Sequence, residues 1–290
     1  MMYLQPEDSG LTPLNAMKRL RTGARLTLML GWTLTKVGLL ALLVPLWFMP
    51  LARQRYAQSY LFGLRYLAGI RVTVIGREHL PKAGQGAVLV ANHLSHADIA
   101  VKGSMLPATF VAGEHIRHIP HARFPVGLWF ANIINTLVID RKPKGDKALA
   151  IRQQVAGVAR RVKQGMSVVI FPEGTTTAGR MLPFKAALFG ALEDPELAHV
   201  PVIPVTLSVD AHSLPHYTWA HDDHRSFTDT LVNMLGHRRF EVTVVVHPPL
   251  PQGLDRKQMA ARAEATIRHT YNQLHHVPLA NMGDALPLPV

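Results

Sequence analysis

Residues 86–98 read GAVLVANHLSHAD and carry the strongest structural signal in this chain of 290 residues. The first half is a run of small and branched apolar residues, which is typical of a strand buried on both faces of a sheet. The second half is polar and places His93 and Asp98 five positions apart. This spacing lets the chain turn from strand into helix and bring the two side chains together. We therefore predict an imidazole and a carboxylate at the carboxyl end of a strand.

Similar apolar runs, rich in Val and Ile, recur along the chain after residue 70. They predict strands at residues 71–75, 87–91, 109–112, 136–139, 167–171, 202–209 and 240–246. Helical patterns lie between or after them, near residues 97–106, 120–133, 145–164, 184–193 and 256–275. This alternation predicts an α/β fold with a mostly parallel sheet flanked by helices.

Two segments depart from the regular pattern. The sixth predicted strand region contains Pro201 and Pro204, and proline has no N–H to donate, which predicts a strand at an edge or at a bulge. Residues 211–225 are rich in histidine and charged residues and predict an irregular surface loop.

The N-terminal region combines basic residues with a long apolar run. Between residues 26 and 51 the only charged residue is Lys36, and the run has the length of about 20 residues that a bilayer-spanning helix needs. Lys36, Pro45 and Pro50 interrupt it, however, and basic residues flank both ends. We predict an apolar helical hairpin that associates with the membrane from one leaflet, with both ends cytosolic. A spanning helix and a buried core helix remain as alternatives.

The composition narrows the classes of partner and of chemistry. With 31 Lys and Arg against 19 Asp and Glu, the formal charge of +12 favours anionic partners: nucleic acid, phosphorylated substrates, an acidic carrier protein or anionic lipid. The absence of cysteine excludes disulfides, thiolate metal sites and a cysteine nucleophile. His115, His118 and His121 recur at every third position, but Pro120 breaks a helical face, which favours a basic surface loop over a metal site.

The pair His93 and Asp98 suits general base catalysis. A neutral imidazole takes a hydroxyl proton near neutral pH, and a carboxylate on its other nitrogen fixes the tautomer and stabilises the imidazolium. The spacing alone is weak evidence, because the chain has 16 histidines. The alternative is a helix N-terminus capped by Ser95 or Asp98.

A second motif, FPEGTTT at residues 171–177, follows another apolar run. A Glu-Gly turn after a strand can present backbone N–H groups to an anion or to a developing oxyanion, and the threonines can add hydrogen bonds. The alternative is an ordinary turn from strand to loop.

A third motif is Arg141 within IDRK, residues 139–142, directly after a predicted strand. A guanidinium there can grip a phosphate through two parallel hydrogen bonds, although a solvated basic turn explains the same residues. The fourth motif is the proline-containing strand VPVIPV at residues 200–205, for which core packing is sufficient.

Together and in this order, the four motifs resemble the PlsC-like lysophospholipid acyltransferases over about residues 66–210, and Phe184-Lys185 matches a further pair of that family. The resemblance implies that His93 is the general base on the acceptor hydroxyl and that Asp98 orients it. It also implies a set of substrate-binding residues: Arg141, Glu173, Gly174, Thr175, Thr176 and Lys185. No metal or cofactor is implied, and acyl-CoA or acyl carrier protein is the acyl-donor co-substrate.

One position departs from the family pattern. Bacterial lysophosphatidate acyltransferases typically carry arginine where this chain has Thr176, so a guanidinium clamp on a phosphomonoester is lost there, unless Arg180 or Lys185 compensates. The expected acceptor is 1-acylglycerol-3-phosphate. Another lyso-lipid, such as lyso-ornithine lipid or lysophosphatidylcholine, is the alternative.

Less favoured is a lipid or thioester hydrolase, since the chain lacks a Gly-x-Ser-x-Gly elbow. Nothing resembles a nucleic-acid-binding module, so the expected partners are membrane lipids, a lysophospholipid and an acidic carrier protein.

These inferences predict a division into three parts. Residues 1–65 form the basic and membrane-associated segment, residues 66–276 form the acyltransferase domain, and residues 277–290 form a loosely attached tail. The catalytic domain is expected on the cytoplasmic face of the inner membrane.

Overall fold

Seven strands form one sheet in the computed structural model, which describes residues 16–42, 48–82, 84–113, 135–139, 147–176, 178–219 and 227–276. The strands are β1 Ile70–Ile75, β2 Ala87–Ala91, β3 Ala108–Gly113, β4 Thr136–Ile139, β5 Ser167–Ile170, β6 Val202–Val209 and β7 Phe240–Val246. Their spatial order is β1-β7-β6-β2-β5-β3-β4. Every neighbouring pair is parallel except β6 with β7. The predicted, mostly parallel sheet is therefore confirmed, with each strand end within one residue of its predicted position.

Helices cover both faces of this sheet. They are α1 Ala16–Leu42, α2 Pro50–Leu67, α3 Ala97–Met105, α4 Lys147–Lys163, α5 Leu214–Tyr217, α6 Phe227–Gly236 and α7 Arg256–His276. The helical pattern predicted near residues 184–193 is a 3-10 helix, Ala186–Glu193. The helix predicted at residues 120–133, the histidines at positions 115, 118 and 121 and the tail after residue 276 lie outside the described residues.

The core has two layers, one on each face of the sheet. Leu89 and Val169 point into the layer that includes α2 and α3. Their neighbours Val88 and Val168 point into the opposite layer, which α4, the 3-10 helix and α7 cover. Because both faces are covered, every residue of β2 and β5 is buried. Each fully buried Val or Leu stabilises the fold by about 1.5–3 kcal/mol relative to exposure, which explains the unbroken apolar runs.

The prediction that prolines confine β6 to an edge or a bulge is wrong, because β6 lies between β2 and β7. The carbonyl of Pro204 accepts from the backbone N–H of His247 at 3.0 Å. The backbone carbonyl and nitrogen of Pro204 therefore both point towards the β7 side of the strand and not towards β2. The ladder with β7 begins one residue later, where Val205 pairs with Val246. The nitrogen of Pro204 therefore points past the end of β7, where no ladder hydrogen bond is required of it.

The prediction of an irregular loop at residues 211–225 is wrong for its central part. Leu214–Tyr217 is a helix, and the side chain of Tyr217 is fully buried. Residues 220–226 lie outside the described residues.

Helices α1 and α2 pack against each other as an antiparallel pair. The indole N–H of Trp32 donates to the carbonyl of Tyr60 at 3.1 Å. The ammonium of Lys36 donates to the hydroxyl of Ser59 at 2.7 Å and lies 4.9 Å from the centroid of the Trp32 ring. Lys36 therefore faces the interface between the two helices, which explains a charged residue inside the apolar run. Within the described residues, neither of these helices nor any other has both the length and the hydrophobicity to cross a bilayer.

The outer surface of this helix pair carries many large apolar side chains. The most exposed of them on α1 are Met17, Leu20 and Leu42, at 62–78% exposure, and Phe48 before α2 is 84% exposed. The inner surface of α2 packs on the sheet, with Tyr60 and Leu61 in the core. The pair is therefore amphipathic as a unit, and among the described residues its apolar outer surface is exposed.

Basic residues at the start of α1 attach the pair to the end of α6. Arg25 donates hydrogen bonds to the carbonyls of Leu235, His237 and Arg238 at 2.6–2.9 Å, and Arg21 donates to the carbonyl of Gly236 at 2.8 Å. The last carbonyls of a helix have no partner within the helix, and basic side chains commonly satisfy them. These guanidinium groups therefore serve the fold at the end of α6.

Replacing Arg25 with Met removes three hydrogen bonds and keeps the apolar stem. We expect the free energy of unfolding to fall by about 1–3 kcal/mol, because the carbonyls at the end of α6 lose their partner. Urea unfolding of the full chain in detergent measures this change. Arg19→Met, at an exposed position of the same helix, is the matched control. Equal midpoints for the two variants would contradict the capping role of Arg25.

Candidate active site

His93 and Asp98 meet at the carboxyl end of β2. The imidazole Nδ1 of His93 lies 3.0 Å from Oδ2 of Asp98. The same carboxylate oxygen accepts from the backbone N–H groups of Leu94 and Ser95 at 2.7 and 3.2 Å. The carboxylate of Asp98 therefore holds the turn before α3 and the imidazole together. The N-cap residue of α3 is His96, so neither Ser95 nor Asp98 takes the N-cap position that the alternative gave them.

Asn92 fixes the position from which this turn starts. Its side-chain amide donates to the carbonyl of Leu207 at 2.9 Å and its side-chain oxygen accepts from the N–H of Leu207 at 2.8 Å. The side chain therefore continues the pairing between β2 and β6 beyond Ala91, the last residue of β2. Because Asn92 is fully buried, the backbone of His93 leaves the sheet at a defined point.

Glu173 joins the loop after β5 to the loop after β2. Its Oε1 accepts from the backbone N–H of His93 and its Oε2 from the backbone N–H of Leu182, both at 2.8 Å. Only 1% of Glu173 is exposed. Burial raises the pKa of Glu173 to about 7, although the two N–H groups act in the opposite direction. The residue predicted to bind substrate therefore directs both oxygens to the backbone and holds the two motifs in contact.

Phe171 completes the contact between the two motifs. Its ring stacks on the imidazole of His93, with centroids 4.1 Å apart and planes at 18°. The side chain of His93 remains 14% exposed. The ring is thus fixed by Asp98 on one nitrogen and by Phe171 on one face, with an edge towards solvent.

Gly174 and Lys185 lie together at the turn after β5. Gly174 has a left-handed backbone with a φ of 79°, which a glycine adopts without strain. Its N–H donates to the carbonyl of Phe171 at 3.0 Å, so this amide holds the turn. A Cβ atom at position 174 would lie 2.8 Å from the ammonium of Lys185. The cation therefore covers the glycine, at the place where the sequence predicted anion binding.

The other residues predicted to bind substrate are Thr175, Thr176 and Arg141, and the structure describes the first two. The hydroxyl of Thr175 is partly buried and lies 3.4 Å from the carbonyl of Thr176. Thr176 is only 5% exposed, so its side chain is directed into the protein. Arg141 lies outside the described residues. Among the described residues, no group of three or more His, Asp or Glu side chains is arranged to hold a metal ion.

Two further side chains contact Asp98 that the motifs do not include. The hydroxyl of Tyr217 donates to Oδ1 of Asp98 at 2.9 Å. The ammonium of Lys102, one helical turn after Asp98, lies 3.9 Å from Oδ2. Burial alone would raise the pKa of Asp98, but Lys102 and His93 outweigh it, and the pKa lies below its ordinary value. Asp98 is therefore the charged partner of His93.

Sequence reasoning missed these two residues for different reasons. Lys102 stands four positions after Asp98, which is the spacing of a helical ion pair, so the sequence held a usable signal for it. Tyr217 lies 119 positions away in a segment predicted to be a surface loop, and no local pattern links it to Asp98.

Comparisons with known proteins agree with this geometry. Residues 71–208 match the Acyltransferase family. The lyso-ornithine lipid O-acyltransferase of Pseudomonas aeruginosa is 33% identical over 219 residues, which cover 74% of this chain and 78% of that protein. The human 1-acyl-sn-glycerol-3-phosphate acyltransferase alpha is 36% identical over 149 residues, which cover 51% of this chain and 49% of the human protein.

A solved structure shows the same fold. The crystal structure of the 1-acyl-sn-glycerophosphate acyltransferase PlsC from Thermotoga maritima aligns with a TM-score of 0.58 at 22% identity, covering 88% of this chain and 97% of that one. The paired strand-end motifs, the shared fold and the extended sequence match show that the chain belongs to the Acyltransferase family.

Proposed function

We propose that this protein is an O-acyltransferase that moves a fatty acyl group from a thioester to the free hydroxyl of a lyso-lipid. The observation that carries the proposal is the contact between Nδ1 of His93 and the buried carboxylate of Asp98, at a strand end that Glu173 ties to the second motif. This arrangement orients an imidazole so that its other nitrogen, Nε2, exchanges a proton with the substrate.

The proposed reaction needs no acyl-enzyme. Nε2 of His93 takes the proton of the acceptor hydroxyl while the oxygen attacks the thioester carbonyl. The tetrahedral intermediate collapses, the C–S bond breaks, and the imidazolium returns its proton to the leaving thiolate. Asp98 stays ionised throughout, because its pKa lies below the ordinary value, and it stabilises the imidazolium between the two proton transfers.

Lys185 is the proposed group for the negative charge of the substrate. Its ammonium lies over Gly174, next to the loop that carries Glu173. An ammonium there attracts either the phosphate of the acceptor or the developing oxyanion. The acyl donor in this proposal is acyl-CoA or acyl carrier protein, and the formal charge of +12 favours both anionic donors.

The leading proposed acceptor is 1-acylglycerol-3-phosphate, which would give phosphatidate in phospholipid biosynthesis. A lyso-ornithine lipid is the second candidate, and two observations favour it. Thr176 replaces the arginine that would clamp a phosphomonoester, and its side chain is almost fully buried. The match to the Pseudomonas aeruginosa enzyme also covers more of this chain than the match to the human enzyme does.

We propose that α1 and α2 hold the protein on a membrane surface. Supporting this, the exposed leucines of α1 and Phe48 form an apolar surface on a helix pair that is anchored to the sheet through Tyr60 and Leu61. An amphipathic element of this kind binds at the boundary between headgroups and acyl chains. We propose that the catalytic domain lies on the cytoplasmic face of the inner membrane, where the helix pair would place the active site next to a lyso-lipid in the bilayer.

Acyl transfer by the purified protein in detergent tests the activity. We expect transfer from labelled acyl-CoA or acyl carrier protein to a lyso-lipid, and His93→Gln should reduce the rate by about 10²–10⁴-fold, the usual contribution of a general base. His199→Gln, at an exposed position, is the matched control. Free fatty acid released without acceptor would indicate a hydrolase, and full activity of His93→Gln would remove His93 from the mechanism.

Thr176→Arg tests the acceptor. Thr176 is buried, but a long arginine stem can carry its guanidinium from such a position to the surface. If the missing guanidinium limits phosphate binding, this variant should raise kcat/KM for 1-acylglycerol-3-phosphate by about tenfold relative to lyso-ornithine lipid, since a charge-assisted hydrogen bond contributes about 1.5–3 kcal/mol. Thr176→Val controls for loss of the hydroxyl. An unchanged or lower preference for the phosphate-bearing acceptor would reject phosphate binding as the limiting factor.

The double substitution Leu30→Glu with Leu34→Glu tests the membrane surface. Both side chains are about 60% exposed, at 60% and 61%, so the variant should fold. We expect binding to vesicles of phosphatidylcholine and phosphatidylglycerol to weaken by at least about tenfold, because two apolar contacts are replaced by charges of the same sign as the lipid. Leu149→Glu, an exposed leucine on α4, is the control. If the unmodified protein, the double variant and Leu149→Glu sediment equally with vesicles, the proposed membrane-binding surface is wrong.

A further inference from the structure

Lys102 is a fully buried cation beside the His93–Asp98 pair. Its side chain is 3% exposed, and its ammonium donates to the backbone carbonyl of Asn92 at 3.0 Å. The ammonium also lies 5.0 Å from the centroid of Phe171, the ring that stacks on His93. One charged group thus contacts the end of β2, the carboxylate of the pair and the ring that supports the imidazole.

The surroundings of the Lys102 stem are apolar. Together with Lys102, a small cavity is lined by Leu89, Ala91, Met105, Leu106, Val169 and Val205. Burying an ammonium in such a site is unfavourable unless a close counter-charge offsets the loss of hydration. A methionine would fill the same space without that cost, so what distinguishes Lys102 is its charge.

Asp98 is held from two sides. Tyr217 on α5 donates to Oδ1, and Lys102 on α3 faces Oδ2, the oxygen that also contacts His93. The other titratable groups that act on this carboxylate are Glu173 in the loop after β5 and Tyr271 on α7. Of these neighbours, Lys102 alone can carry a positive charge. Burial lowers the pKa of its ammonium, and the carboxylates of Asp98 and Glu173 act in the opposite direction. Tyr217 and Tyr271 stay neutral, because burial raises their pKa values.

When other groups also bind the carboxylate of Asp98, it stabilises the protonated form of His93 less, and the pKa of the imidazole is lower than it would be with Asp98 alone. Without Lys102 and the Tyr217 hydroxyl, the whole negative charge of Asp98 would act on the imidazole in a medium of low dielectric constant. An opposite charge at this distance favours the protonated imidazole, and a protonated imidazole cannot act as a base.

We infer that Lys102 and Tyr217 are positioning residues that share the charge of Asp98, so that His93 remains an unprotonated base at lower pH than an unshared pair would. This inference rests on the proposed function of His93 as the general base. It assigns a role in the reaction to two residues that touch neither substrate nor the reacting atoms.

The test compares Lys102→Met and Tyr217→Phe with the unmodified enzyme over pH 5.5–9. In Lys102→Met, the acidic limb of the kcat/KM profile should move about one pH unit higher. Activity at pH 6 should then fall about tenfold relative to the unmodified enzyme, with most of it kept at pH 8.5. Tyr217→Phe should shift the limb in the same direction by a smaller amount, because it removes a neutral hydrogen bond.

Tyr60→Phe is the matched control, because it also removes a buried tyrosine hydroxyl, whose partner is Thr33 at 3.1 Å. It should leave the position of the acidic limb unchanged. A loss of activity that is equal at every pH in Lys102→Met and Tyr217→Phe would show a purely structural role. A shift of the limb to lower pH would also overturn the inference.

A second measurement separates this inference from the proposed activity. The titration of His93 followed by NMR of the imidazole, assigned with His93→Gln, needs no substrate. A higher titration midpoint in Lys102→Met or Tyr217→Phe supports charge sharing even if no acyl transfer is found, and unchanged midpoints in both variants refute it. If Lys102→Met does not fold, Lys102→Gln and Tyr217→Phe give the same comparison.

Discussion

The buried carboxylate of Asp98 is the interaction on which the rest of the site depends. It accepts hydrogen bonds from two backbone N–H groups of the turn before α3, from the hydroxyl of Tyr217 and from the imidazole of His93. Burial of an unpaired carboxylate would cost several kcal/mol, so these partners must be present together. The same contacts that make the charge tolerable fix the turn, the rotation of the imidazole and the position of α5.

Glu173 extends this constraint from one loop to the next. Because its two oxygens accept from the backbone N–H groups of His93 and Leu182, Glu173 connects the loops after β2 and β5. These strands are direct neighbours in the sheet, and parallel neighbours bring their carboxyl ends to the same edge. The Glu-Gly motif thus holds the backbone of His93 in place, and the ammonium of Lys185 lies beside Gly174.

The sequence predicted elements well where burial alone decides the pattern. The runs that became β2 and β5 are apolar throughout because helices cover both faces of the sheet. The predictions of an edge or bulge for β6 and of a loop in the central part of residues 211–225 are wrong, because there the structure depends on contacts with elements distant in the sequence. Pro204 is tolerated in an interior strand because the ladder with β7 begins only at Val205, so no residue of β7 needs a hydrogen bond from the nitrogen of Pro204. Residues 214–217 read as a polar loop, yet they bury Tyr217 against a charge from α3.

The sequence by itself determined the seven strands, the order of the motifs and the pairing of His93 with Asp98, because these follow from local periodicity and from a spacing of five residues. Only the tertiary structure decided which groups control Asp98 and what Glu173 contacts. The hydroxyl of Tyr217 and the N–H of Leu207 reach the site across more than a hundred residues. Such contacts depend on how strands are ordered in the sheet, and strand order is set by the packing of the whole chain.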